Sequence, residues 1–371
     1  MSHNILSGDM PRSFILSALL LVIFVFLAIA PFAAPAGPVV GGAVKALVMI
    51  IVVASFDVLI GYTGIISFAH TAFFAIGAYS VGISLRDFEA ELPVLFVGVA
   101  GGLIVTALAA GLIGFCSMRV RTVFFAMITL AAASALSLFV LQFYALTGGP
   151  DGLVFQIPKI FRPSNIILTH KIFDRTINGT FLLYYAIFIV CGVVFLFLLR
   201  LVNSPFGRVL QAVRENEMRA EAIGFSVLIY RVQVSCIAAC CACLAGGLYA
   251  LWLRYVGPDT TVSLQIMLDV LLMVVIGGIG TIYGAVVGVA FFVLAETYLR
   301  LGIAALHEHA VGIPGLDALT DPNRWLLWLG LLFVLSVYFF PDGVVGTLRR
   351  RSTARGKGAA KSKLSTIGIG E

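Results

Sequence analysis

Asp57, His70, Asp269 and Glu296 stand inside long apolar stretches of this chain. An ionisable group held in hydrocarbon costs about 2.5–3.5 kcal/mol on insertion scales, so such a residue is by default a candidate for a pathway or relay. Asp57 and His70 flank Gly61-Tyr62-Thr63-Gly64, whereas Asp269 precedes and Glu296 follows Gly277-Gly278-Ile279-Gly280. Apolar segments broken by glycine can aim half-helix ends at a zwitterion. In that reading, backbone amides near Gly64 and Ser67 face a carboxylate, and Asp57 or Asp269 faces an ammonium. The alternative for Asp269 and Glu296 is a place near span ends, in interfacial water.

Other reactive residues carry less. Four of the six cysteines, Cys236, Cys240, Cys241 and Cys243, fall among Ala and Gly within one apolar run. They read as small packing residues, and no disulfide framework or metal site is expected. His307-Glu308-His309 reads as part of a solvated external loop. Nothing matches G-x-x-x-x-G-K-[ST], the loop that cradles nucleotide phosphates, so no cofactor is expected. No nucleophile–base pair converges either, and the chain does not read as an enzyme.

The elements that must position these residues follow from composition. Of 371 residues, 61% are hydrophobic and 11% charged. A soluble chain is nearer 45–50% apolar and about 25% charged, which excludes a soluble enzyme and a disordered chain. The class is all-α: a polytopic helical membrane protein. A helix needs about 20 apolar residues to cross the bilayer. Ten spans are expected, at 14–35, 43–60, 65–85, 92–115, 122–146, 180–200, 232–253, 266–282, 285–302 and 325–341. The segments starting near Gly61 and Gly277 can also be re-entrant. Arg12, an apolar run and Ala34-Pro35-Ala36 resemble a signal peptide, but the run is too long, so it reads as an uncleaved first span.

Ten spans place both termini on one side. That side collects 15 of the 24 Lys and Arg residues, mainly in loop 200–231 and after Leu348. The positive-inside rule makes it cytoplasmic. Residues 1–345 form one transmembrane domain. The tail, 346–371, is basic and low in apolar residues; it reads as disordered and drawn to anionic lipid rather than to nucleic acid.

Loop 203–225 is the most informative soluble segment. Ser204 suits a helix N-cap with Pro205 at the first position, and Gly224 suits a C-terminal cap. Phe206, Val209, Leu210 and Val213 share a face, and Arg214, Glu215, Glu217, Arg219 and Glu221 make the other ionic. Glu215 and Arg219 are spaced for an i,i+4 pair. The segment reads as one capped helix that docks a cytoplasmic partner, with a helix lying on the bilayer surface as the alternative.

Four stretches carry a resemblance. They are Gly61 to Tyr79 (GYTGIISFAHTAFFAIGAY), Thr147 to Leu153 (TGGPDGL), Ser204 to Gly224, and Met273 to Gly284 (MVVIGGIGTIYG). Across them the chain resembles the permease subunits of bacterial ABC importers for branched-chain amino acids. The resemblance implies that 204–224 is the coupling helix, with Arg208, Arg214, Glu215, Glu221 and Gly224 as its contact or bend positions. It implies separate cytoplasmic ATPase subunits, a second permease subunit and a periplasmic substrate-binding protein that meets external loops such as 147–179. It also implies the bacterial inner membrane. Permeases for urea and short amides look alike over much of this length, and an ion-coupled secondary transporter is the alternative of a different class.

Overall fold

The structure is a computed structural model that describes residues 14–33, 38–117, 122–172, 175–310, 321, 324–340 and 343–347. Arg12, the Ala34-Pro35-Ala36 stretch and the tail from residue 348 lie outside the described residues. The long helices are α1 (Phe14–Ala33), α2 (Pro38–Thr63), α3 (His70–Asp87), α4 (Leu92–Ser117), α5 (Thr122–Gln142), α7 (Gly179–Asn203), α10 (Val227–Leu253), α12 (Leu264–Gly277), α13 (Ile282–Ala310) and α14 (Trp325–Phe339). Short helices α6 (Tyr144–Thr147), α8 (Pro205–Glu215), α9 (Glu217–Ala222) and α11 (Pro258–Thr261) connect them. Among the described residues, eight helical stretches are long and apolar enough to cross a membrane, and α1 has a shorter apolar stretch, Leu16–Phe32.

Helix α2 is the axis. It is 26 residues long, about 39 Å at 1.5 Å per residue, and nearly all of it is buried within the chain. A helix apolar on every side can be covered on every side. Helices α7, α10, α12 and α13 surround it, and α3 packs on α10 and α4. Helices α4, α5 and α14 present most of their surface outward. Leu108, Leu112, Val193 and Val334 are exposed apolar residues that suit lipid or a partner helix.

Small residues permit the tightest approaches. A Cβ on Gly77 of α3 would strike the Cys243 carbonyl of α10, and one on Gly246 would strike the Phe74 carbonyl. Cys241 and Cys243 are buried in that seam. Gly284 and Gly288 lie against the carbonyls of Gly277 and Met273, so α12 and α13 meet in the same way. Gly280 belongs to the turn between them, with φ +83°, and not to a helix face.

The contacts sort into two ends. At one end lie the Gly61–Gly64 turn, the Gly278–Gly280 turn and the loop 203–225, joined by Asp57, Arg214 and a bidentate Arg231–Glu217 ion pair at 2.9 and 3.0 Å. At the other end, Arg86 donates to the Leu146 carbonyl, and Tyr255 donates to that of Asp151. Strand β1 (Leu153–Val154) pairs antiparallel with β4 (Tyr255–Val256) there, and β2 (Ile166–Ile172) pairs with β3 (Arg175–Asn178).

The first glycine-broken block forms two helices, as the sequence suggests: α2 starts earlier, at Pro38, and ends at Thr63 before Gly64 (φ +73°), and α3 follows from His70. Two other sequence expectations change. Helix α13 continues through His307, Glu308 and His309, which therefore do not form a loop. The segment 204–224 is two helices: Asn216, at φ −159° and ψ 103°, breaks it.

Candidate functional site

The loop is built by its capping residues. Ser204 Oγ accepts from the Gly207 amide at 3.4 Å, and a Cβ on Gly207 would strike the Val202 carbonyl, so the glycine permits the sharp entry from α7. Asn216 Oδ1 accepts from the Arg219 amide at 2.9 Å and starts α9. Gly224, at φ +95°, ends α9 in a Schellman arrangement: the Phe225 amide donates to the Ala220 carbonyl and the Gly224 amide to that of Glu221. Because Asn216 interrupts the helix, Glu215 and Arg219 lose the i,i+4 register and form no pair; Glu217 instead binds Arg231.

Leu210, Val213, Ala220 and Val227 are buried beneath the loop, with Phe206 and Phe225 against Tyr230. Arg208, Glu215, Arg219 and Glu221 are exposed. Met218 and Ile223 are also exposed, at 79% and 67%. Two exposed apolar side chains thus stand among charges on a capped scaffold; the helical periodicity hid them, because they lie beyond the break. Asn216→Ala is expected to destabilise α9 by about 1 kcal/mol. Hydrogen exchange at the Arg219 amide should accelerate, and unchanged protection there would remove Asn216 as the cap.

Arg214 does more than line the outer face. Its guanidinium donates to the Gly61 carbonyl, and its stem lies over Gly64. Asp57, four residues before Gly61, accepts from the Gly280 amide through Oδ1 at 2.7 Å. Asp57 Oδ2 is buried without a hydrogen-bond partner. Asp57 is thus buried and ties the end of α2 to the Gly280 turn.

His70 is fully buried, with Nε2 2.9 Å from Ser55 Oγ and its ring against Phe56. Ser67 is buried and Gly64 takes φ +73°. Two neighbouring amides are engaged within the chain: that of Ile65 bonds the Leu59 carbonyl and that of Phe68 bonds Thr129 Oγ1. His70 and Asp57 are not brought together.

Asp269 and Glu296 do converge, on a residue sequence reasoning passed over. Lys45 Nζ lies 2.7 Å from Glu296 Oε2, with side chains 31% and 16% exposed. Asp269 accepts from Gln265 Nε2 at 3.0 Å and sits within electrostatic reach of both Lys45 and Glu296. Helices α2, α12 and α13 thus place one cation and two carboxylates together, part-exposed along an otherwise apolar bundle. The signal available in the sequence was a lysine eight residues into an apolar helix.

Comparison with known proteins agrees with this architecture. Residues 38–337 match the family described as the permease component of the branched-chain amino acid transport system. The chain is 28% identical over 370 residues to the high-affinity branched-chain amino acid transport system permease protein LivM of Escherichia coli K12, covering 93% of this chain and 78% of that protein. It is 25% identical over 330 residues to a probable branched-chain amino acid transport permease protein LivM of Methanocaldococcus jannaschii, covering 80% and 89%. No solved structure matches significantly. The helical membrane architecture and the match over most of its length place this chain in the family of permease components of branched-chain amino acid transport systems.

Proposed function

We propose that the chain is the pathway-forming subunit of an ATP-driven importer for branched-chain or related amino acids. ATP is hydrolysed on separate cytoplasmic subunits, which dock on α8 and α9 through Arg208, Glu215, Arg219, Glu221, Met218 and Ile223, with Gly224 setting the bend. The observation that carries this reading is that α8–α9 is anchored on the membrane helices yet presents an exposed face of mixed charge with two apolar knobs. A helix lying on the bilayer surface would turn Leu210 and Val213 to lipid; here both are buried against the protein.

A second permease subunit completes the pathway, and both termini face the cytoplasm of the inner membrane. A periplasmic binding protein delivers the amino acid to the opposite end. There a cavity of about 490 Å³ is lined by Arg86, Glu89, Glu91, Gln156, Lys159 and Arg162, polar groups able to receive a soluble partner. Along the bundle, Lys45, Asp269 and Glu296 line the passage.

The test is purification from membranes with the neighbouring transport components, then leucine uptake into proteoliposomes containing the binding protein. A stoichiometric ATPase and uptake that stops on ATP depletion are expected. Uptake that follows a proton gradient with no ATPase bound would reverse the reading.

A further inference from the structure

Among the described residues, a small set of polar contacts joins the end of the bundle beneath the docking helices. Helix α2 ends at Gly61–Gly64, where its last carbonyls lack helical partners and carry the negative end of the helix dipole. Arg214 of α8 supplies a cation to one of them, the Gly61 carbonyl. The Gly280 turn is pressed against the same place: a Cβ on Gly61 would overlap the Gly280 amide, and one on Gly280 would come within 3.4 Å of an Arg214 guanidinium nitrogen. Asp57 Oδ1 accepts a hydrogen bond from the Gly280 amide. Gly343, at φ +74°, closes on Gly278 from the C-terminal side, where a Cβ would meet the Gly278 backbone.

Asp57 Oδ2 is the unusual member. A buried carboxylate oxygen without a partner is expensive in an apolar interior. A guanidinium has five N–H donors, and Arg214 reaches the two glycines that Asp57 itself touches. Arg214 bonds the Gly61 carbonyl here, and Asp57 lies within electrostatic reach of it without an ion pair, so a shift of α8 is what would bring the guanidinium to the spare oxygen. Alternatives of this kind make a discrete two-position element, the physical basis on which a displacement can be passed between sites.

We propose that Arg214 and Asp57 are positioning residues that form a clamp between the docking helix and the two glycine turns, and that the clamp ties each nucleotide-driven movement of α8 to rearrangement of α2–α3 and α12–α13. The inference rests on the importer reading above. Arg214 exchanges between the Gly61 carbonyl and Asp57 Oδ2 as α8 is pushed or pulled, so one residue links the soluble partner to both hairpins.

The experiment uses the assembled importer in proteoliposomes and measures leucine moved per ATP hydrolysed, ATPase retained on purification and nucleotide hydrolysis itself. Arg214→Met keeps the stem over Gly64 without a donor, and Arg214→Lys keeps a donor. Asp57→Asn keeps an acceptor for the Gly280 amide but removes the spare one. Leucine moved per ATP should fall about ten-fold in Arg214→Met and Asp57→Asn, within the usual range of coupling between sites, while assembly and hydrolysis stay within about two-fold. Arg214→Lys should retain at least half of the wild-type ratio.

Wild-type ratios in both Arg214→Met and Asp57→Asn would overturn the clamp. So would identical behaviour of the Lys and Met variants. Loss of the bound ATPase in Arg214→Met would make Arg214 a partner contact and overturn it too. A wild-type chain that never engages an ATPase would remove the importer reading, and the clamp with it.

Discussion

Gly77→Ala is expected to remove most of the folded protein from the membrane. Helices α3 and α10 meet backbone to backbone, with Gly77 against the Cys243 carbonyl and Gly246 against that of Phe74. Membrane helices gain little from the hydrophobic effect when they associate in lipid, so close van der Waals contact through small residues carries more of the stability. Overpacking costs about 1–3 kcal/mol where side chains can yield. Here the obstacle is backbone, which cannot rotate away, so a loss at or above about 3 kcal/mol is expected. Alanine has the better helix propensity by about 1 kcal/mol, so a loss must come from the contact. Gly101→Ala is the control: nothing lies within 4 Å of its added carbon, and stability should be unchanged or slightly raised. The readouts are the amount of protein in the membrane and the midpoint of thermal unfolding in detergent. Wild-type values for Gly77→Ala would contradict the packing described.

The element types were legible because charge is so scarce. Nearly every boundary between apolar runs carries an Arg, Lys, Asp or Glu, or a glycine pair, and such punctuation survives without any alignment. The caps of loop 203–225 were readable for the same reason, since Ser204-Pro205 and Gly224 act locally. Burial was not readable. Helices α2 and α14 are both strongly apolar, yet one is wrapped by its neighbours and the other faces outward. In lipid both environments favour the same side chains, so hydropathy cannot separate them.

Pairings across the chain were hidden as well. Lys45 and Glu296 are 251 residues apart, and only the packing of α2 on α13 brings them together. Asp57 was recognised as costly to bury, but an intramembrane acid reads alike whether it meets a solute or an amide of its own chain. The Gly280 amide proves to be its partner. Arg214 was placed among the outward charges by helical periodicity; the carbonyl it meets comes from the other half of the sequence, which no local pattern records.

Lys45→Met is expected to lower leucine uptake about ten-fold, a loss of about 1.4 kcal/mol in the rate-limiting step. Removing one member of a fully buried ion pair costs about 3–5 kcal/mol. These side chains are 31% and 16% exposed, so the pair is only partly buried and a stability loss nearer 1–2 kcal/mol is expected. The remaining effect falls on the solute. On the pathway proposed above, a zwitterion passing the cluster would meet a cation for its carboxylate and two acids, one of them not paired with Lys45, for its ammonium. Without Lys45, Asp269 and Glu296 repel each other and hold a bare ammonium too well or reject a carboxylate. Exchanging the pair, Lys45→Glu with Glu296→Lys, restores an ion pair between α2 and α13 but inverts the order of charges along the passage. Protein level should therefore recover in the exchange variant while uptake recovers only in part. Asp269→Asn, which leaves the pair intact, should change the KM for leucine with little change in protein level. If the exchange variant restores uptake as fully as it restores protein level, and Asp269→Asn leaves KM alone, the cluster is a structural tie between α2 and α13 and the amino acid passes elsewhere.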